Sequence, residues 1–161
     1  MAKMKHPAIV IADGYFNLPN GKGAHGLVRG SDRFRVLSVI DHTCAGQDAG
    51  EALDGTHRDI PIVESMAAAL KNGSEKATHA VIGVATHGGK LTPPLKQLVL
   101  EAIDARLNIV NGLHDATSED PDISSAAEKA EVELVDLRKP KHKSELHFWH
   151  GAIVNVKAPR V

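Results

Sequence analysis

Short runs of apolar residues without polar alternation constrain the fold of this chain more than any other feature. The first run is Ala-Ile-Val-Ile-Ala at residues 8–12, and predominantly apolar runs follow at 34–40, 80–84, 107–111 and 132–137. Such runs are typical of strands buried on both faces of a parallel sheet. Segments with helical spacing separate them, and residues 61–63 return briefly to extended structure. The alternation predicts an α/β fold with a mostly parallel sheet of about five strands, counting 80–84 as the third.

Right-handed crossovers in such a chain favour the open strand order 3-2-1-4-5. The predicted architecture is therefore a Rossmann-like three-layer sandwich, whose ligands bind beyond the carboxyl ends of the strands, near the point where the order reverses. Four loops rich in Gly, His, Asn and Asp should converge there, namely residues 13–23, 41–48, 86–90 and 111–115. Their convergence predicts a crevice for a small-molecule ligand.

The first of these loops carries a glycine pattern. Gly21, Gly23 and Gly26 match G-x-G-x-x-G, in which glycines let a phosphate approach the backbone at a helix start. In the usual fingerprint the first glycine closes the strand, whereas Gly21 lies eight residues beyond Asp13. The loop either binds a phosphate or nucleotide or uses its glycines only to shape a turn. The residues predicted to contact the cofactor are Gly14, Asn20, Gly21, Lys22, Gly23, Asp41, Gly88 and Gly89.

Two of these predicted contacts have stated roles. Lys22 would neutralise a phosphate, although no Ser or Thr follows it as in a P-loop. Asp41 ends the second strand, where a nucleotide-binding fold places an acid for a ribose hydroxyl, but a carboxylate there also commonly caps a turn. Both alternatives for Asp41 stay open.

The candidates for catalysis are Asp13, Cys44, Asp48 and His114. Cys44 is a nucleophile if its pKa is lowered, and otherwise a small packed residue. Asp13 and Asp48 are possible general bases, although Asp beside Gly is also ordinary turn chemistry. A zinc site would have to be assembled in space by His42, His87 and His114, because the sequence has no paired cysteines. We therefore predict no metal site and expect these histidines at the rim of the crevice.

The composition indicates which classes of binding partner and which cellular compartment to expect. The net charge of -1 gives no general attraction to nucleic acid, and the basic run at 138–143 is typical of a solvated linker. No segment reaches membrane-spanning length, and a single cysteine suits a reducing compartment. We predict a cytoplasmic protein that binds neither nucleic acid nor membrane. Residues 1–138 should form the Rossmann-like domain, and residues 139–161 a linker and a short β extension towards an absent domain.

The loops together resemble a bacterial and archaeal two-domain family. The motifs are ADGYF at 12–16, NGKGAHGLVR at 20–29, DHTCAGQDAGE at 41–51, GLHD at 112–115 and DLRKP at 136–140. The family was long catalogued as a domain of unknown function, and some of its members are described as D-glutamate N-acetyltransferases. The resemblance implies an N-terminal Rossmann-like domain that precedes a P-loop NTPase-like domain, here absent, in proteins that are expected to be homo-oligomers.

Three functions follow from these observations. The first is a nucleotide- or CoA-binding domain of an acetyltransferase-like protein, which transfers an acetyl group from acetyl-CoA to D-glutamate only with its missing partner domain. The second is an oxidoreductase domain that uses NAD, favoured by the strand–loop–helix and by Asp41. The third is a non-catalytic assembly module.

Overall fold

The six-stranded parallel sheet at the centre of the molecule has the order β3-β2-β1-β4-β5-β6. The computed structural model describes residues 4–71, 75–140 and 143–145. The strands are β1 His6–Ile11, β2 Phe34–Ile40, β3 Ile62–Val63, β4 His79–Ile82, β5 Asn108–Asn111 and β6 Leu134–Asp136. The order reverses between β1 and β4, so the carboxyl ends of these two strands flank the expected ligand crevice.

The α/β class, the parallel sheet and the Rossmann-like architecture are confirmed, and two details of the sheet differ from the prediction. Ile62–Val63 pairs with the end of β2 and stands at the edge of the sheet as the third strand in chain order. With it counted, the order begins 3-2-1-4-5 as predicted and β6 is added at the edge. Residues 80–82 of the run at 80–84, which was expected as the third strand, belong to β4 and pair with β1. A two-residue strand is too short to give the apolar run on which the sequence prediction relied.

Five helices are described: α1 Lys22–Arg29, α2 Ala49–Asp54, α3 Met66–Lys71, α4 Pro93–Asp104 and α5 Pro121–Ala130. α1 joins β1 to β2, and α4 joins β4 to β5, in opposite directions along the sheet. Because crossovers are right-handed, the two helices lie on opposite faces. α2 packs beside α1, whereas α3 and α5 pack beside α4. None of the helices in these described ranges is long and apolar enough to cross a membrane.

The core has a main cluster and a smaller satellite. The main cluster joins β1, β2 and β4 to all five helices and includes Ile9, Ile11, Ile82, Val99 and Ile103. The satellite cluster consists of Ala8, Phe34, Val81 and Val110, with Leu27 and Val135 packed against it. Val81, Val110 and Val135 pair across β4, β5 and β6, so they share one face of the sheet, which is the face of α1.

The chain from residue 139 onwards is only partly described. A single 3-10 turn, Lys143–Glu145, stands in this part. The β extension expected at residues 146–156 lies outside the described residues, and the domain boundary at 138 stays a prediction.

Candidate functional site

A groove opens on the α1 face at the carboxyl edge of the sheet, between α1 and the strands β4 and β5. Its volume is about 730 Å³, which lies within the usual range for small-molecule sites. We call its polar mouth the rim, formed by Lys22, Gly88, Gly89, His114 and Arg138. The apolar inner surface is the floor, formed by Leu27, Phe34, Val81 and Val110.

Hydrogen bonds join the loop that follows β1 to the loops that follow β2 and β4. The side-chain amide of Asn20 donates to the Ala85 carbonyl at 2.6 Å, and the Ala85 N–H donates to the Asn20 carbonyl at 2.8 Å. On the other side, the Phe16 N–H donates to Asp41 Oδ2 at 2.8 Å. The structure thus places these predicted loops at one edge of the sheet. Asn20 joins the loops that follow β1 and β4 through these two hydrogen bonds.

The three glycines of the sequence pattern have different surroundings. A Cβ on Gly21 would lie 2.5 Å from the Tyr15 carbonyl oxygen, and one on Gly23 would lie 2.8 Å from that of Gly83. Both positions therefore allow a close approach of backbone to backbone. Gly26 has no neighbour within 4 Å of such a Cβ. Packing accounts for the first two glycines, and only Gly23 and the adjacent Lys22 also line the groove.

The far side of the rim is built from the loops after β4 and β5. Gly88 and Gly89 both have φ of +67°, which other residues rarely adopt. The Gly89 carbonyl accepts from the N–H groups of His114 (2.9 Å) and Asp115 (3.1 Å). Arg138 Nη1 donates to His114 Nε2 at 3.0 Å. Because a guanidinium can only donate, His114 accepts through Nε2 and carries its proton on Nδ1.

A buried polar network supports this part of the rim. Asp136 Oδ1 accepts from Asn111 Nδ2 (2.7 Å), the Thr117 N–H (2.8 Å) and Thr117 Oγ1 (2.8 Å), and Oδ2 accepts from the Ser118 N–H (3.0 Å). Burial raises the pKa of this carboxyl, but the hydrogen bonds outweigh it and hold the pKa at about 2. Asn111 Oδ1 in turn accepts from the Leu113 N–H at 2.9 Å. The network holds the backbone on both sides of His114 and the strand end that precedes Arg138.

Asp41 lies away from the groove and is fully buried. Besides the Phe16 bond, its Oδ1 accepts from the Thr43 N–H at 2.9 Å and from Thr43 Oγ1 at 2.6 Å. Burial raises the pKa of Asp41, but these bonds lower it below the usual value. A ribose hydroxyl would have to displace bonds that hold two loops together. The geometry therefore favours the turn-capping alternative for this residue.

The other candidates for catalysis also differ in what surrounds them. Cys44 is 2% exposed, and burial together with the nearby charge of Asp41 raises the pKa of its thiol to about 11. This thiol is protonated at neutral pH, as expected of a packed residue. Asp48 caps α2, and its carboxylate accepts from the N–H groups of Gly50, Glu51, Arg58 and Ile60. All of its hydrogen bonds serve the local fold.

Asp13 differs from these, because no hydrogen bond to its carboxylate is found among the described residues. It is half-buried at the end of β1 with φ of +47°. Desolvation raises its pKa, and the neighbouring His42 only partly offsets this. A Cβ on the next residue, Gly14, would lie 2.9 Å from His42 Cε1. Asp13, Gly14 and His42 thus form a second small cluster beside β2, outside the residues that line the groove.

No group of three or more His, Cys, Asp or Glu side chains within the described ranges could hold a metal ion. Of the three histidines weighed as ligands, His42 lies against Gly14 and His114 against Gly89. His87 stands in the 3-10 turn His87–Gly89. The structure thus gives the zinc alternative no ligand set among these residues.

Sequence reasoning missed several residues that shape the groove. Arg138 was assigned to a solvated linker, because it begins a run of basic residues. Gly83 was treated only as part of an apolar strand, yet a Cβ there would lie 2.7 Å from Val10 Cγ1 and 2.9 Å from Ala24 Cβ. The Asn111–Asp136 pair joins residues that are 25 positions apart. A glycine inside an apolar run was the one local signal of a close backbone approach.

Comparison with known proteins gives consistent matches. Residues 42–140 match the family model of the Rossmann-like domain of unknown function DUF1611_N. A crystal structure of a DUF1611 family protein from Anabaena variabilis superposes with a TM-score of 0.74 and 30% identity, over 85% of this chain and 38% of the other. D-glutamate N-acetyltransferases from Tritonibacter scottomollicae and a Pseudoalteromonas species are 35% and 37% identical over 60 residues. Those 60 residues are 37% of this chain and 18% of each relative.

Proposed function

Since the chain belongs to the DUF1611_N family of Rossmann-like domains, we propose that its groove binds a phosphate-bearing cofactor, with CoA or acetyl-CoA as the best candidate. In this proposal the domain is the cofactor-binding part of a D-glutamate N-acetyltransferase-like protein. The acetyl transfer itself requires the remainder of such a protein, a P-loop NTPase-like domain included. The matched relatives are far longer than the stretch they share with this chain, so their activity is carried here only as a proposal.

The charge of the rim is the observation that carries the proposal. Lys22 and Arg138 are exposed cations on opposite sides of the mouth. None of the described residues that line the groove carries a carboxylate. Two cations without a neutralising acid favour an anionic ligand, and Arg138 has further donors besides the one that His114 occupies. The same rim would also accept the carboxylates of glutamate, so the phosphate-bearing ligand has to be tested against it.

The shape of the groove agrees with a ligand that has a charged end and an apolar arm. The floor is lined by side chains of Leu27, Phe34, Val81 and Val110. Gly112 lines the groove and has no neighbour within 4 Å of a Cβ built on it, so a ligand can approach the backbone there. A phosphopantetheine arm suits such a surface better than two nucleosides do. The buried and fully bonded Asp41 also weighs against the NAD alternative, because an NAD site needs an accessible acid for the ribose.

Calorimetry on the 161-residue chain with CoA, ADP, NAD and D-glutamate tests the proposal. We expect CoA to bind, and Lys22→Ala and Arg138→Ala each to weaken binding about five- to thirty-fold, the equivalent of ~1–2 kcal/mol for one charge-assisted contact. Lys129→Ala is the matched control, since Lys129 is exposed on α5 at the opposite face. Absence of binding by CoA, or equal dissociation constants in all variants, would refute the proposed site.

An activity assay tests the dependence on a second domain. The chain is incubated with acetyl-CoA and D-glutamate, and the release of free CoA thiol is followed. We expect no release above the rate without protein. Turnover by the chain alone would show that the transfer needs no partner domain.

A further inference from the structure

A histidine is buried at the amino edge of the sheet, away from the rim. His79 is the first residue of β4 and is 7% exposed. The centre of its ring lies 4.6 Å from that of His6, the first residue of β1, and 5.6 Å from that of Phe34, the first residue of β2. We call these three rings the histidine cluster. The proposed function makes no use of this buried titratable group.

The backbone register places the histidine cluster in line with the floor of the groove. His79 pairs with Ala8 and lies two residues before Val81, so the side chains of His79 and Val81 share the α1 face. Phe34 belongs to both sets, because its ring stands beside those of His6 and His79 and also lines the groove. A movement of His79 therefore acts directly on one side chain of the floor.

Hydrogen bonds show which nitrogen of His79 carries the proton. The hydroxyl of Thr78 donates to the Pro7 carbonyl at 3.1 Å and lies 2.8 Å from His79 Nδ1. Because the single hydroxyl proton is directed at Pro7, the Thr78 oxygen accepts from Nδ1–H of His79. The second proton of a charged ring would have to be added at Nε2. No hydrogen bond to Nε2 is found among the residues that the structure describes.

The surroundings of His79 disfavour a charged ring. Burial is the main cause that lowers the pKa of His79, and the neighbouring His6 and Arg33 lower it further. Glu133, which precedes β6, acts in the opposite direction but does not offset them. Asn108, the partner of His79 on β5, carries no charge. His79 is therefore neutral at neutral pH.

We propose that His79 and His6 form an acid-sensitive switch beside the groove: neutral His79 packs against Phe34 and supports the floor, and protonation of His79 displaces its ring and loosens Phe34. A charged ring with an unpartnered proton, beside a second histidine and Arg33, is costly to keep in the apolar cluster. Its departure removes a packing partner of Phe34. The switch belongs to the floor and operates whatever the rim binds, so it goes beyond the proposed function.

Acid should weaken the folded state through this histidine. Because the folded pKa of His79 lies below its ordinary value of 6.5, the neutral ring stabilises the folded protein in full above that value. This contribution is lost as the pH falls through the folded pKa. The floor should therefore loosen on acidification and tighten again when the pH is restored.

NMR titrations of the 161-residue chain from about pH 8 to about pH 4.5 test the switch, since histidine rings titrate in this range. We expect the His79 ring to titrate at a lower pH than it does in urea, and the methyl groups of Val81 and Val110 to shift with the same midpoint. The methyl groups of Val99, in the main cluster on the opposite face, are the control and should shift less than half as much. A His79 midpoint equal to that in urea, or floor methyl groups that do not follow His79, overturns the proposal.

Two substitutions separate the switch from a general effect of acid. His79→Gln places a polar side chain that cannot be protonated, and we expect it to abolish the acid-induced methyl shift of Val81. His6→Ala removes the neighbouring ring and should raise the pH at which His79 titrates. His87→Gln, exposed in the turn after β4, is the matched control and should leave both measurements unchanged.

A methyl shift of Val81 that persists in His79→Gln overturns the proposal, and so does an unchanged His79 midpoint in His6→Ala. Should His79→Gln fail to fold, the titration of the parent chain decides by itself. No ligand is present in these titrations, so failure of the switch is distinguishable from failure of the proposed CoA site.

Discussion

Replacement of Asp136 by Ala should destabilise the protein and loosen the rim together. Four donors from Asn111, Thr117 and Ser118 lie within 3.0 Å of the Asp136 carboxylate. Removal of the acceptor leaves these partly buried donors without their partner. Hydrogen bonds to a charged group contribute about 1.5–3 kcal/mol each when a partner is lost, but solvent can reach part of this site. We therefore expect a loss of about 3 kcal/mol in the free energy of unfolding, well above the usual effect of a surface substitution.

The pH dependence of this loss distinguishes a carboxylate from a mere packing defect. The folded pKa of Asp136 is about 2, below the ordinary value of 3.8 for an aspartate side chain. A depressed pKa stabilises the folded state above the unfolded pKa, and this contribution disappears as the pH falls through the folded pKa. The difference in the free energy of unfolding between the parent and Asp136→Asn should therefore reach its maximum above about pH 5 and should shrink between about pH 4 and pH 2.

Urea unfolding at pH 7 and pH 3 measures both effects. Asp32→Asn is the control, since Asp32 is exposed, and its change should stay below about 0.5 kcal/mol. The role assigned to this carboxylate would be refuted if Asp136→Ala lowered the free energy of unfolding by less than about 1 kcal/mol. It would also be refuted if Asp136→Asn lowered the free energy of unfolding equally at the two pH values.

Three further predictions concern other parts of the fold. Gly83→Ala should lower the free energy of unfolding by about 1–3 kcal/mol, because the new Cβ would lie 2.7 Å from Val10 Cγ1 and 2.9 Å from Ala24 Cβ. Gly26→Ala is the control, because a Cβ there has no neighbour within 4 Å. Equal stability of the two variants in urea would contradict the close packing around Gly83. Cys44 should resist iodoacetamide at pH 8 until the protein unfolds, since it is 2% exposed and its pKa is raised to about 11; alkylation as fast as that of glutathione would contradict this. The His57 ring is hydrogen-bonded to Asp59 (2.9 Å) and Glu51 (2.8 Å), and these bonds raise the pKa of the imidazole. His57→Ala should therefore lower the free energy of unfolding at pH 6 and lower it less at pH 9, where the parent imidazole is neutral. A loss of stability that does not depend on pH would show that the charge of His57 is not involved.

The strands and the general placement of the crevice follow from the sequence because their signals are local. A continuous apolar run such as residues 8–12 indicates a strand wherever it stands, and the crossover rule then orders the strands. β3 was predicted only as a brief extended segment and was not counted in the sheet, because two apolar residues are too few to indicate a strand without their pairing with β2. The rule that ligands gather where strand order reverses located the groove without any single motif.

The roles of single residues were less predictable, because they depend on what tertiary structure places beside them. Asp41 and Asp136 both end apolar strands. The sequence does not show that Asp41 joins the loops after β1 and β2 through hydrogen bonds, or that Asp136 supports the rim. The G-x-G-x-x-G match was partly coincidental, since Gly26 has no close neighbour. Arg138 resembled a linker residue, and only its contact with His114 places it at the mouth of the groove.

Amide chemical shifts of the ¹⁵N-labelled chain, recorded during titration with CoA, test the central claim most directly. The account predicts that the largest shifts fall on Gly23, Gly88, Gly89, His114 and Arg138. Residues of the Asp41–Thr43 turn should change little, since they lie outside the groove. Shifts centred on that turn or on Gly14, or no shifts at saturating CoA, would contradict the assignment of this groove as the ligand site.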